Sequence, residues 1–299
     1  MKRVFTLLVL SLLGSSLWGS SYEEQMQQAE KLFKARKYKD AAAAFDDASL
    51  ETENTQQRIE ARYRSWDSLR KARAANAVSA GESLLYDEEK LSNDRKVELV
   101  SYIALRSNTE RMKKILEFGL NLKGLNEKQR SKILLTAMNS GGTWQSEAYV
   151  NEILAMKDPD PAAKANALGH RANVYLWVKR DPVNALKYVN EALAIKELAA
   201  KDRQFYLLVQ ARSYVALKKF DMAERSYLSA IKTSKQHNFQ EAAYNELAKV
   251  YIISKQPLKI KPLLKRASTD KRMNKHQRQV FANLLTQIDN AEKQQTNGR

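Results

Sequence analysis

The chain contains no cysteine, which removes disulfide bridges, thiolate nucleophiles and cysteine-built metal sites together. Its 299 residues hold only nine glycines and five prolines, a poor supply for the tight turns of an all-β fold and one that suits helices. Histidine is as scarce. His170, His237 and His276 are the only three, they stand far apart, and none lies in HExxH or another metal-ligand spacing. A phosphate loop, a Gly-rich dinucleotide turn and a GxSxG elbow are also missing. Carboxylate pairs such as Asp46-Asp47 and Glu88-Glu89 read as solvated charge in helices or loops, because the sequence implies no apolar pocket around them in which acid/base work would be tuned. These absences point away from catalysis and lead to the expectation of a non-enzymatic protein with no cofactor and no metal. An enzyme with an unrecognised site is the remote alternative.

What the sequence does hold is a recurring helical pattern. In the stretch 204–230, Phe205, Leu208, Ala211 and Val215 make a wide apolar stripe, and Phe220, Ala223, Tyr227 and Ala230 repeat it after Lys218 and Lys219. Two short amphipathic helices joined by so short a turn must lie antiparallel, with alanines letting the backbones approach. Asp221 with Glu224 resembles a capping box for the second helix. The register Ala211, Tyr214, Phe220, Ala223, Tyr227, Ala230 recurs as Ala29, Leu32, Tyr38, Ala41, Phe45, Ala48, with the same steps of 3, 6, 3, 4 and 3. It returns as Ala248, Tyr251, Pro257, Ile260, Leu264, Ala267 and, more loosely, as Asn173, Leu176, Pro182, Ala185, Val189, Ala192. Asn173 to Ala211 is 38 residues and Ala211 to Ala248 is 37, a period that marks an array of supersecondary units.

This spacing of small and aromatic residues resembles the tetratricopeptide repeat (TPR), whose unit is a helix, a turn and a second helix. The clearest copies are 22–50, 165–195, 204–231 and 240–267. The period is slightly long and prolines 182 and 257 take an aromatic position. The resemblance implies an all-α, right-handed α-solenoid of about seven antiparallel helix pairs, with a C-terminal capping helix over 274–293 and a disordered tail over 294–299. It also implies a groove lined by the first helices of the hairpins, here Arg62, Trp66, His170, Trp177, Phe205, Leu208, Arg212, Asn245, Lys249 and Ile252, receiving a protein or peptide partner. The family's paired lysine and asparagine pattern that clamps a C-terminal carboxylate is not found.

Punctuation agrees with this organisation. Asp160-Pro161 and Asp181-Pro182 each read as an N-cap followed by proline at the first helical position. Ser107 with Glu110 and Asn126 with Gln129 read as capping boxes, and Gly124 and the 140–142 stretch as breaks. Pro262, five residues after Pro257, demands a kink or a late helix start.

Residues 1–21 carry Lys2 and Arg3, an apolar run from Val4 to Leu13 and a small-residue end, the grammar of a secretory signal peptide cleaved near Ser21. The run is short for a bilayer span, so the mature chain is expected to be exported, periplasmic or secreted, with no transmembrane segment. Charge rises along the chain: 22–100 hold 14 basic and 16 acidic residues, 101–200 hold 15 and 10, and 201–299 hold 20 and 8. Nine of the basic residues, Lys255, Lys259, Lys261, Lys265, Arg266, Lys271, Arg272, Lys275 and Arg278, form a candidate basic patch. A field of that sign suits an anionic partner, so the alternative function is a basic surface adaptor on anionic membrane or cell-envelope polymer. No aromatic residue lies between Lys255 and Arg278 to stack a base, which makes nucleic acid an unlikely partner.

Overall fold

A computed structural model describes residues 21–140, 146–233 and 239–297; His237 and all but the last residue of the signal peptide expected over 1–21 lie outside them. Among the described residues the chain forms fifteen α-helices and no strand. Taken in order they make seven antiparallel pairs and a closing helix, an all-α helical repeat. The helices divide between two compact units that meet at Leu125 and Asn126.

The first unit holds α1 (Tyr22–Lys34), α2 (Tyr38–Leu50), α3 (Thr55–Lys71), α4 (Ala77–Asp87), α5 (Asn93–Ala104) and α6 (Thr109–Leu120). A capping box starts α1: the Glu24 N–H donates to the Ser21 hydroxyl at 3.3 Å and the Ser21 N–H to the Glu24 carboxylate at 3.2 Å. The register residues Ala29, Ala41, Phe45 and Ala48 are wholly buried, so the α1–α2 contact is the alanine-mediated approach that the spacing predicts. Successive first helices are stitched by side chains one repeat apart. Arg64 pairs with Glu30 and lies over Phe33, and Arg95 pairs with Glu60. At α6 the N-cap is Asn108, accepting the Arg111 N–H at 3.0 Å, so the Ser107–Glu110 box does not form; Ser107 instead donates to the Ile103 carbonyl and finishes the preceding helix.

The second unit holds α7 (Glu127–Ser140), α8 (Ser146–Ala155), α9 (Pro161–Asn173), α10 (Pro182–Leu193), α11 (Ala200–Ala216), α12 (Phe220–Thr233), α13 (Gln240–Ile253), α14 (Ile260–Thr269) and α15 (Lys275–Asn297). Asn126 and Gln129 exchange two hydrogen bonds of 3.0 and 2.9 Å to open α7. Asp160 caps α9 by accepting from Ala162 and Ala163, and Asp181 caps α10 by accepting from Asn184, with proline next in both. A short 3-10 turn at Pro257–Lys259 delays α14 to Ile260, so Pro262 falls in its first turn, where a missing N–H costs nothing. Helix α12 begins one residue before Asp221, which overturns the Asp221–Glu224 box; Glu224 instead accepts from Tyr251 at 2.9 Å and Lys259 at 2.7 Å. The closing helix packs Phe281 on Tyr244 and runs to Asn297, four residues beyond the expected end at 293 and into the segment expected to be disordered.

Five turns between paired helices close on a basic residue in the left-handed region: Arg36 (φ 61°), Arg73 (53°), Arg180 (55°), Lys218 (58°) and Lys255 (56°). At Lys218 the N–H bonds the Val215 carbonyl and the next N–H reaches back to Tyr214, both at 2.9 Å, the double bond that ends a helix when its cap turns left-handed. An L-residue there costs about 1–2 kcal/mol. A cation offsets part of that cost by sitting on the negative end of the helix it terminates.

Candidate functional site

Helix α9 does not stop at Asn173. It winds on through a π-helical turn, Val174–Val178, closed by the Lys179 N–H on the Val174 carbonyl at 3.0 Å. The extra residue lengthens the next closing bond as well, which runs from the Asp181 N–H to Tyr175 at 2.8 Å. On this turn Trp177 is 52% exposed, whereas Leu176 beside it is buried against Ala185 and Val189. Such π-turns interrupt a helix at some energetic cost and recur at functional sites.

Trp177 borders a cleft of about 360 Å³ whose other walls are Arg180 and Pro182 at the start of α10, Val215 and Ala216 at the end of α11, and Tyr227 on α12. Its polar floor is prearranged. Arg212 on α11 grips the Glu246 carboxylate on α13 through two bonds of 2.9 and 2.6 Å, and the Tyr227 hydroxyl donates to the same carboxylate at 2.8 Å. Burial and the Glu246 charge push the Tyr227 phenol well above its ordinary range, so it stays a neutral donor. The cleft therefore offers one exposed indole, an apolar wall and an exposed guanidinium, Arg180, at its rim, a combination that suits recognition of another chain.

A second hollow of about 230 Å³ lies one turn earlier on α9, lined by His170, Arg171, Tyr175 and Lys179 together with Glu147, Val150 and Asn151 of α8. Burial holds the His170 pKa below the usual histidine value, with Glu147 opposing the shift and Arg171 adding to it. Arg171 bonds the Asn151 side-chain oxygen and Lys179 lies 4.5 Å from the Tyr175 ring centre. Among the described residues no group of three or more His, Asp or Glu side chains converges as a metal site would require.

The ten residues expected to line one groove do not all serve that role. Trp66 is buried, donates to the Ala77 carbonyl at 3.1 Å and meets Tyr102 edge-on, so it is core; Leu208 is buried in the α11–α14 core. Arg62 is bound to Glu88 at 2.6 Å and Ser83 at 3.1 Å within its own unit. Phe205 is half-buried against Phe239. On α13, Asn245 is half-buried while Lys249 and Ile252 are exposed. Trp177 and Arg212 do share the cleft, and His170 lines the neighbouring hollow. Pro182 and Tyr227 hold packing positions of the repeat register and Arg180 lies in a turn, so nothing in the sequence pattern marks these cleft residues.

The basic patch is likewise divided. Lys259 and Lys261 pair with Glu224 and Asp289, Arg272 clasps Asp270 at 2.5 Å and reaches the Ile231 carbonyl, and Arg278 donates to the Met273 carbonyl at 3.2 Å. Lys255, Lys265, Arg266, Lys271 and Lys275 are exposed.

Neither a family model nor a curated protein matches the chain. Among solved structures it is similar to a signal transduction ATPase with numerous domains (STAND) protein with a tetratricopeptide repeat sensor from Pyrococcus horikoshii. That match has a TM-score of 0.53 and 15% identity, and covers 92% of this chain but only 45% of that one. It is also aligned to the TPR2AB domain of yeast Sti1 in its complex with pHSP90, at a TM-score of 0.31 and 14% identity, over 89% of this chain and 97% of that one. The fold comparison rests on the first. With the helix pairs, the repeat register and the short left-handed turns, it shows a helical repeat fold of the TPR type.

Proposed function

We propose that the chain is a non-enzymatic, exported scaffold that binds a protein or peptide segment in the cleft beside Trp177. The observation that carries this reading is the exposure of Trp177: a large indole stands half exposed on a π-turn at the mouth of a preformed hollow. A partner segment that lays an apolar side chain on Trp177 and a carboxylate against Arg180 complements what the cleft presents. Arg212 and Tyr227 are occupied by Glu246 and act as a rigid floor, which lowers the ordering cost of binding.

The test is a photocrosslinking residue in place of Ala216, on the cleft wall, in the full chain expressed with its leader in a bacterial host and recovered from the periplasm. The expected result is a discrete crosslinked envelope partner that weakens at least tenfold when Trp177→Ala is added. A crosslink pattern indifferent to Trp177 would remove the reading, as would recovery of the unprocessed chain from the cytoplasm for the exported part of it.

A further inference from the structure

We infer that the turn edge of the last three hairpins, which borders the cleft and extends beyond it, is a docking surface for the headgroup layer of an anionic phospholipid bilayer. Three left-handed turns make this edge, at Arg180, Lys218 and Lys255. They are contiguous. Trp177, Arg180 and Pro182 of the first share one cleft with Val215 and Ala216 of the second, and Lys218, Phe220 and Met222 of the second share another with Ser254 and Gln256 of the third. The Lys259–Glu224 bridge ties the third turn to the second.

Two properties coincide on this edge. Of the twelve large apolar side chains exposed among the described residues, seven belong to these turns: Trp177, Val178, Val183, Met222, Ile252, Ile253 and Leu258. Leu258 is 91% exposed and Val178 74%. Interleaved with them are the exposed cations Lys179, Arg180, Lys218, Lys219 and Lys255. The nearby acids only partly offset that field: Asp181, capping α10 through Asn184, and Asp221 keep their charges, while Glu224 is balanced by Lys259, so the five cations outnumber the two unbalanced carboxylates.

The occupant follows from shape and charge. Val178, Val183, Ile252, Ile253 and Leu258 line neither cleft and are each more than half exposed, so they present apolar surface outward. A row of projecting apolar tips needs a matching hole for each in a folded protein partner, whereas the boundary between headgroups and acyl chains accepts such tips wherever they fall. Lysine and arginine stems between the tips reach phosphates at the same depth. No helix among the described residues is long and apolar enough to cross a membrane, so the contact is interfacial.

Sedimentation of the full chain with vesicles tests this, comparing equimolar phosphatidylglycerol and phosphatidylcholine with phosphatidylcholine alone, at low and at moderate salt. Binding to the anionic vesicles is expected, weakened at least tenfold by Val178→Ser with Leu258→Ser and separately by Lys218→Glu with Lys255→Glu, circular dichroism confirming that each variant is folded. The inference fails if the wild type does not prefer anionic vesicles, or if the serine variant binds them as well as wild type, which would make the attraction charge alone. It also fails if the serine variant instead abolishes a dimer seen by ultracentrifugation in a chain that ignores vesicles. Neither Val178 nor Leu258 lines the Trp177 cleft, so crosslinking at Ala216 is expected to survive the serine variant, and the two readings stand or fall separately.

Discussion

A β-carbon built on Gly169 would stand 2.2 Å from the ring of Tyr206, where α9 crosses α11. No rotamer of an alanine relieves that, because the methyl is fixed to the backbone and the buried ring must shift in a close-packed core. Gly169→Ala is therefore expected to destabilise the fold by about 1–3 kcal/mol, read as a lower denaturant midpoint at unchanged slope. His170, one residue on, gives a signature in pH. Its folded-state pKa lies below the unfolded value because burial disfavours the charged ring. At neutral pH both states are uncharged there. As pH falls through the ordinary histidine pKa, about 6.5, the unfolded chain takes up a proton first and stability declines. His170→Asn is expected to flatten that decline between neutral pH and the folded pKa, measured by denaturation across the range.

Among the elements, helix ends repeat one chemistry with different letters. Carboxylate, amide or hydroxyl caps open α1, α3, α6, α9 and α10, and basic left-handed residues close five of the first helices. Replacing Lys218 by glycine is expected to raise stability by up to about 1 kcal/mol, since the backbone strain is relieved and only a weak dipole contact is lost. If the lysine is retained for its charge on the membrane-facing edge, the same variant binds anionic vesicles less well while being more stable. The first cap bears on processing. Ser21 supplies the capping box of α1, and its removal costs about 1 kcal/mol. A chain beginning at Tyr22 would lose it and one beginning at Ser21 would keep it, which the mass of the chain recovered after expression with residues 1–21 distinguishes.

For the molecule as a whole, a repeat array is most exposed at its ends, where one apolar face has no neighbour. The second unit closes that face with α15 and a polar clasp: Asp270, barely exposed, accepts from Tyr244 at 3.0 Å and from the Arg272 side chain and backbone. Burial alone would raise the Asp270 pKa, but these bonds bring it below the usual aspartate range. The clasp stabilises the fold above the ordinary aspartate pKa, about 3.9, and is lost as pH falls through the lower folded value. Asp270→Asn is expected to lower stability at neutral pH, the gap to wild type narrowing as pH falls from the ordinary aspartate pKa to the lower folded value.

How much of this was legible in the sequence follows from what each feature depends on. Periodicity, caps and small-residue spacing are properties of a helix and its nearest neighbour along the chain, so the register of 204–230 and its recurrences made the helix pairs legible. Two capping boxes were misplaced by a residue or more, because Ser107 and Glu224 found better partners than the adjacent helix end. The tertiary structure alone decided which side chains are free to act. Trp66 and Trp177 look alike in sequence, yet one is sealed between α3, α4 and α5 and the other stands half exposed on a π-turn. The cations of the C-terminal third look like one patch, yet several are spent on Glu224, Asp289, Asp270 and backbone carbonyls. Exposure and pairing are settled by residues a repeat or more away, and one-dimensional spacing does not carry that information.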